Sequence, residues 1–290
     1  MEKLIYINKL GREIELSRES RFKIREIEGL GGLTSSFMTT TGPFQDGSTC
    51  VDNGYFESRL ITIEFAIVSD NLTEDIRDLN SILNPKLGDG VLKYVKDSVT
   101  RTLRGIKTKV LPELPTGKDR GISFQVSSVI FECFDPYFVD DTETESEVAS
   151  QYDLFIFDLS LSDSYIFDQS GSIGLDVMNI GDVPAPVTVL IEGPLSAPIT
   201  VINTTTGESI IISTSVPAGS RLIIDTDLKK IDVRIIDITT GAESSAFQYI
   251  DIAQTVFWSL VPGTNNLVFT HGEELAESVL VKHRNRFVGV

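Results

Sequence analysis

The chain has 290 residues, 41% of them hydrophobic, which suits one large or two medium domains with a proper buried core. Its net charge of −17 argues against nucleic acid as a direct partner, since a binder neutralises phosphates with Lys and Arg. Two cysteines, Cys50 and Cys133, form no disulfide framework and read as free thiols of a protein folded in a reducing cytosol, rather than as one long-range bridge. No apolar run approaches the roughly 20 residues of a membrane helix, and the opening MEKLIYINKLGREIEL lacks the apolar stretch of a signal peptide.

Leu4-Ile5-Tyr6-Ile7 opens as a strand, Gly11 marks a turn, and Ile14-Glu15-Leu16 continues. Phe22–Ile27 alternates apolar and charged residues, as a half-exposed strand does. Gly29-Leu30-Gly31-Gly32 has neither the spacing nor the following helix of a dinucleotide fingerprint, so it reads as a sharp backbone bend. Thr34–Asn53 is long and polar, with Gly42-Pro43 and Asp46-Gly47 turns; we read it as an extended arm or hairpin for subunit contact. Ile61–Ile67 is a strand with one buried face. Asn71 and Glu74 have the spacing of a helix capping box. Ile76, Leu79 and Leu83 form one apolar stripe, and Asn84-Pro85 ends the helix. Gly88-Asp89-Gly90 turns the chain into paired strands, Val91–Val95 and Thr100–Val110.

After the apolar strand Ile122–Phe134, Asp135-Pro136 signals a turn, and Asp140–Glu147 is an acidic run without apolar periodicity. It reads as a linker, dividing the chain into residues 1–138, a linker 139–150, and residues 151–290. Charge follows the same division. Residues 1–138 hold 18 Lys+Arg and 20 Asp+Glu, net −2; residues 139–290 hold 7 and 22, net −15. The second half is almost wholly β. Strand candidates are Leu154–Leu159, Ser172–Val177, Ala185–Glu192, Ile199–Asn203, Glu208–Ile212, Arg221–Asp225, Lys230–Ile235, Thr255–Leu260, Asn266–Thr270 and Glu277–Val290. Short strands at this spacing predict a sandwich.

No catalytic constellation emerges. His271 reads as a turn residue, and His283, on a strand with Val281, is expected to point outward. Neither histidine nor cysteine has zinc-ligand spacing, and the acidic run lacks the Gly and terminal Glu of a calcium loop. Asp225 and Asp227 read as a hairpin tip rather than a glycosidase pair. Trp258, flanked by Phe257 and Ser259, is expected in the sandwich core with Val256 and Leu260. The expectation is no enzyme activity, no cofactor and no metal.

The order of these features resembles the distal tail (Dit) proteins of long-tailed, siphovirus-type bacteriophages or prophages. The resemblance rests on Gly29–Gly32, the strand after Ser58-Arg59, the helix ending Leu83-Asn84-Pro85, and Gly90-Val91-Leu92-Lys93-Tyr94. In the second half it rests on Phe257–Asn266 and the closing Val281–Phe287. It implies a mainly β fold with one short helix: an N-terminal ring-forming domain, then a C-terminal galectin-like or carbohydrate-module-like β-sandwich. It also implies a virion structural protein of the tail tip or baseplate, assembled in the bacterial host cytoplasm. Six copies would form a ring joining the tail tube protein to the tail-tip (tail-associated) protein. Outer domains would serve host attachment through a receptor-binding protein or a saccharide. DNA would pass through the channel without specific binding, and no membrane is implied. Arg59, Asn84, Pro85, Gly90 and Tyr94 are the candidate ring and assembly positions. The alternative is a carbohydrate-binding module-type protein that recognises host cell-wall glycans.

Overall fold

Alternation in the first 140 residues builds a sheet that closes on itself. The computed structural model describes residues 2–44, 46–52, 54–113, 119–149, 172–272 and 278–290. Two units emerge: residues 1–141 with Arg286–Val290, and Thr142–Asn285.

In the first unit, β1 (Glu2–Ile7), β2 (Glu13–Ser17) and β3 (Phe22–Glu28) precede an arm made of four two-residue strands. These are β4 (Ser35–Ser36), β5 (Thr39–Thr40), β6 (Thr49–Cys50) and β7 (Tyr55–Phe56). Then come β8 (Arg59–Val68), helix α1 (Leu72–Ile82), β9 (Gly90–Lys96), β10 (Val99–Val110), β11 (Phe124–Cys133) and β12 (Phe138–Asp140). The strands run β11-β8-β3-β2-β1-β9-β10, and β10 pairs back with β11, closing a seven-stranded barrel. Closure needs curvature, and the register shifts at Ile24/Glu26, Arg104/Ile106 and Thr108/Val110 supply it.

Every second residue enters the barrel. Ile61, Ile63, Phe65 and Ile67 on β8 are fully buried, as are Leu4, Leu92, Leu103, Ile106 and Phe131 on its neighbours. Burying each such side chain is worth about 1.5–3 kcal/mol. Of the expected stripe, Leu79 and Leu83 enter the same core and Ile76 packs against it partly buried, while Ile82, outside that reading, is buried as well. Its start differs from the sequence reading. The Asn71 side chain makes no capping bond to the helix backbone; its amide donates to the Glu74 carboxylate. Ser69 Oγ instead accepts from the Asn71 N–H at 3.0 Å. Asn8 joins helix and barrel, with its amide donating to Ile82 O and its Oδ1 accepting from the N–H groups of Leu10 and Arg12.

The second unit comprises β13 (Thr144–Ala149), β14 (Ser172–Asn179), β15 (Val187–Glu192), β16 (Ile199–Asn203), β17 (Glu208–Ile212), β18 (Ser220–Asp225), β19 (Asp232–Asp237), β20 (Glu243–Ser245), β21 (Gly263–His271) and β22 (Ser278–His283). A six-stranded sheet, β13-β22-β15-β18-β19-β20, and a four-stranded sheet, β14-β21-β16-β17, share one core. That core includes Trp258, Phe269, Val189, Ile224 and Ile210, so the expected sandwich stands. The chain then returns to the first unit, where β23 (Arg286–Phe287) pairs with β12, Phe138 opposite Phe287 and Val139 opposite Arg286.

Several local readings change. The acidic run 140–147, read as linker, ends β12 and supplies most of β13, which pairs with β22 along Thr144–Ala149. Charges do not break this strand because it is a sheet edge, where they deter further pairing; Glu145 meets Lys282 at 2.5 Å. Thr255–Leu260 is not a strand: only Leu260 bridges, to Ala185, and Val256 is exposed while Trp258 and Leu260 are buried. His283 is buried, because residues i and i+2 of a strand share a face and Val281 faces the core; His271, last residue of β21, is buried too. Asp225 and Asp227 sit at the β18–β19 turn as expected, where Asp225 Oδ1 accepts from the Asp227 N–H at 3.0 Å. Cys50 is exposed and Cys133 buried, both as free thiols. The predicted strand Leu154–Leu159 lies outside the described residues.

Candidate functional site

Arg59, the first residue of β8, is 3% exposed, so its guanidinium must find partners inside the protein. It finds four backbone carbonyls. Nε donates to Pro136 O at 2.7 Å, Nη1 to Gly29 O at 2.6 Å and Gly31 O at 3.3 Å, and Nη2 to Val288 O. Its plane lies over the Phe138 ring, 4.7 Å from the centroid. Burial lowers the Arg59 pKa from its usual value, with Cys133 acting in the opposite direction. The glycine bend makes this possible. Gly29 has φ 89°, and a Cβ there would sit 2.0 Å from Leu60 O, so only glycine lets the two backbones approach. Next to it, Arg101 pairs with Asp140 and covers the Phe287 ring at 3.6 Å. One arginine thus ties the glycine bend, the turn before β12 and the chain's last residues together. The sequence flagged Arg59, but its partners lie up to 229 residues away and no local pattern announces them.

The other four candidate positions form a separate group. Asn84 Oδ1 accepts from the Lys86 N–H at 3.0 Å and caps the one-turn 3-10 helix Pro85–Leu87, whose first position Pro85 fills. Gly90 opens β9 against the Tyr6 ring; a Cβ there would lie 2.7 Å from that ring. Tyr94, opposite Leu4 on β1, donates its hydroxyl to Glu2 Oε1 at 2.8 Å. Burial, then the Glu2 carboxylate, push its pKa up to about 12. In the barrel, β8 and β9 are separated by β11 and β10 on one side and by three strands on the other. Arg59 therefore does not join the Asn84–Tyr94 group.

The arm is the unit's exposed feature. β4 pairs with β7 and β5 with β6, with further bonds from Val51 N to Met38 O and Glu57 N to Thr34 O. Asp52 Oδ1 steadies its base by accepting from the N–H groups of Met38 and Gly54, each at 3.1 Å. Phe37, Met38, Phe44, Val51 and Tyr55 are all more than half exposed, and Phe44 wholly so. The sequence reading of a polar loop missed this apolar load, because these residues follow neither a period of two nor of 3.6. The arm carries carboxylates but no Lys or Arg between Thr34 and Phe56. Among the described residues, no group of three or more His, Cys, Asp or Glu could hold a metal ion.

Residues 180–287 match the family model described as the siphovirus-type tail component, C-terminal domain, of the SPP1 Dit type. The crystal structure of phage SPP1 Dit, presented as a paradigm of hub adsorption apparatus in phages infecting Gram-positive hosts, superimposes with a TM-score of 0.68. That match spans 99% of both chains at 14% identity. The phage P2 baseplate, in its activated conformation with Ca, gives 0.57 across 100% of both chains at 9% identity. At such identities the structures speak for fold alone. No curated protein matches the sequence. Residues 180–287 thus carry the siphovirus-type tail component C-terminal domain, and the whole chain has the fold of the distal tail (Dit) protein of phage SPP1.

Proposed function

We propose that six copies of this chain form the hub ring of the tail tip, joining the tail tube protein above to the tail-associated tip protein below. The first unit builds the ring and the second is displayed outward for host attachment. The observation that carries this reading is the arm. Five large exposed apolar side chains on an arm braced by short, hydrogen-bonded strand pairs are costly to leave in water and are suited to cover by a neighbouring copy. A cyclic ring needs heterologous contacts, and a projecting element supplies one half of such a contact. Arg59 acts in this scheme by fixing the bend from which the arm departs, and Asn84, Pro85, Gly90 and Tyr94 by setting the β9 wall of the barrel. The first unit is close to neutral, with 19 Lys+Arg and 22 Asp+Glu, so six copies can stand side by side with little repulsion. DNA would traverse the channel without specific contacts. The particle is a virion assembled in the host cytoplasm, and no helix among the described residues is long and apolar enough to cross a membrane.

Negative-stain microscopy with light scattering tests the ring: six copies of 31.9 kDa give about 190 kDa around an open centre. Deleting residues 34–53 should leave folded monomers without rings. Intact rings from that deletion would remove the arm from the interface.

A further inference from the structure

A strip on the outer wall of the barrel is apolar although nothing in the chain covers it. Residues directly opposite in a ladder share a face. Across β8–β11, Ala66 stands opposite Val126 and Val68 opposite Phe124; across β3–β8, Lys23 stands opposite Ala66. Their chain neighbours Phe22, Ile67 and Gln125 are buried, so the five lie together on the outer face. Val68 and Phe124 are 45% and 40% exposed, and Ala66 and Val126 are half-buried. Two cations border the strip. Lys23 Nζ donates to a neutral partner, Arg18 O, at 3.2 Å, and Arg120 is exposed and bridged to Gln125 beside Phe124. Among the described residues neither is held in an ion pair. The strip stays exposed with the chain's own arm in place, because the arm joins β8 at Arg59. Val68 is nine residues further on, about 30 Å along the strand.

We infer that this strip receives the arm of a second copy of the chain, so that arm and strip are the two unlike halves of one repeated contact. The inference rests on the ring reading above and names the receiving surface, which that reading leaves open. Charge selects the occupant. The arm carries Asp46 and Asp52 and no Lys or Arg between Thr34 and Phe56, whereas the strip is bordered by Lys23 and Arg120. Size agrees with charge: the short side chains of Ala66 and Val126 at the middle of the strip face outward, and the arm brings larger ones, Phe37, Met38 and Phe44. The mode of contact follows from closure. The β8–β11 ladder is already paired on both sides, so the arm is received side chain against side chain and not as an added strand.

Disulfide capture in the full chain tests it. Cys50 lies exposed on β6 of the arm and Cys133 is buried, so the native chain already offers the arm's thiol. Ala66→Cys, Val126→Cys and Ser128→Cys each set a second thiol on the strip, and Val95→Cys sets one on the outer face of β9, across the barrel. After mild oxidation with copper phenanthroline, at least one strip variant should give a ladder of covalent multimers on non-reducing gels. The ladder should vanish with Cys50→Ser and be absent with Val95→Cys. Lys23→Glu sets an anion against the acidic arm and should slow capture about tenfold at low salt, less as salt is added, with the thermal midpoint unchanged. No capture by any strip variant, equal capture by Val95→Cys, or a rate unmoved by Lys23→Glu would overturn the docking. Microscopy of the same samples separates it from the ring itself. Six-membered rings without strip capture keep the ring and overturn the docking; strip capture in open chains keeps the docking and overturns the ring. Neither rings nor capture overturns both.

Discussion

In the first unit the β10–β11 ladder closes seven strands into a barrel, so no barrel edge is left to pair with another chain. The second unit keeps its edges: β13 and β20 end one sheet, β14 and β17 the other. Three of these are guarded, β13 by Glu145 and Glu147, β20 by Glu243, and β17 by the fastened 249–256 segment. The two units also differ in charge, by net −3 against −14. The closed, near-neutral barrel concentrates its exposed apolar side chains on the arm. The open-edged, acidic sandwich instead guards its edges with carboxylates and a fastened segment.

The sharpest way to break this comparison is Arg59→Ala. It strips the donor from four carbonyls and should clearly destabilise the first unit, because each buried acceptor left without its donor costs about 1–3 kcal/mol. The single tryptophan lies in the second unit, so its fluorescence reports that unit while far-UV circular dichroism reports both. The dichroism midpoint in urea should fall and the fluorescence midpoint should stay; a joint shift would show that the units unfold as one. Trp258→Ala is the mirror experiment. It should cost the sandwich about 3–5 kcal/mol, read by dichroism as loss of the other transition. Gly90→Ala forces a methyl against the Tyr6 ring and should cost the barrel about 1–3 kcal/mol by thermal melting.

A pH series sharpens the picture further. Tyr94 has its pKa raised above 10.0 to about 12, so its protonated form is favoured by folding. Its contribution is complete below about pH 10 and is lost as pH rises through 12. Tyr94→Phe should make first-unit stability less dependent on pH between those limits, as read from urea midpoints; an unchanged slope would refute the assignment. Smallest in stability is Phe44→Ser in the arm, expected to move the melting midpoint by no more than about 0.5 kcal/mol equivalent because the side chain is already in water. A large loss would mean that the arm is part of the fold rather than a free surface.

Much of the architecture was legible because it is written locally. Residues Ile61–Ile67 alternate cleanly and form β8, and the strand pair around Asp97 appears where the spacing places it. Ile199–Asn203 and Glu208–Ile212 match their predicted limits. What escaped is what distant residues decide. Only the partner strand β22 shows why an acidic stretch becomes β13. The burial of His283 follows from its alternation with Val281, whereas that of His271, opposite Ile199, depends on the β21–β16 pairing. Asn71 and Glu74 have capping-box spacing, yet their side chains bond to each other, because a cap depends on backbone angles that spacing does not encode. The candidate positions were found through resemblance. Their division into an Arg59 group and a β9 group became visible only with the barrel in hand.

The pairing of β12 with β23 has a genetic consequence. Val139 and Arg286 face each other across one ladder, so the 144 residues from Thr142 to Asn285 leave and rejoin the barrel at neighbouring points. A segment whose two ends meet can be exchanged for another without re-threading its host, as tolerated domain insertions are. A lineage could therefore replace this second unit by one recombination event while inheriting the barrel intact. The few residues after Asn285, clamped by Arg59, are the piece that any replacement would have to restore.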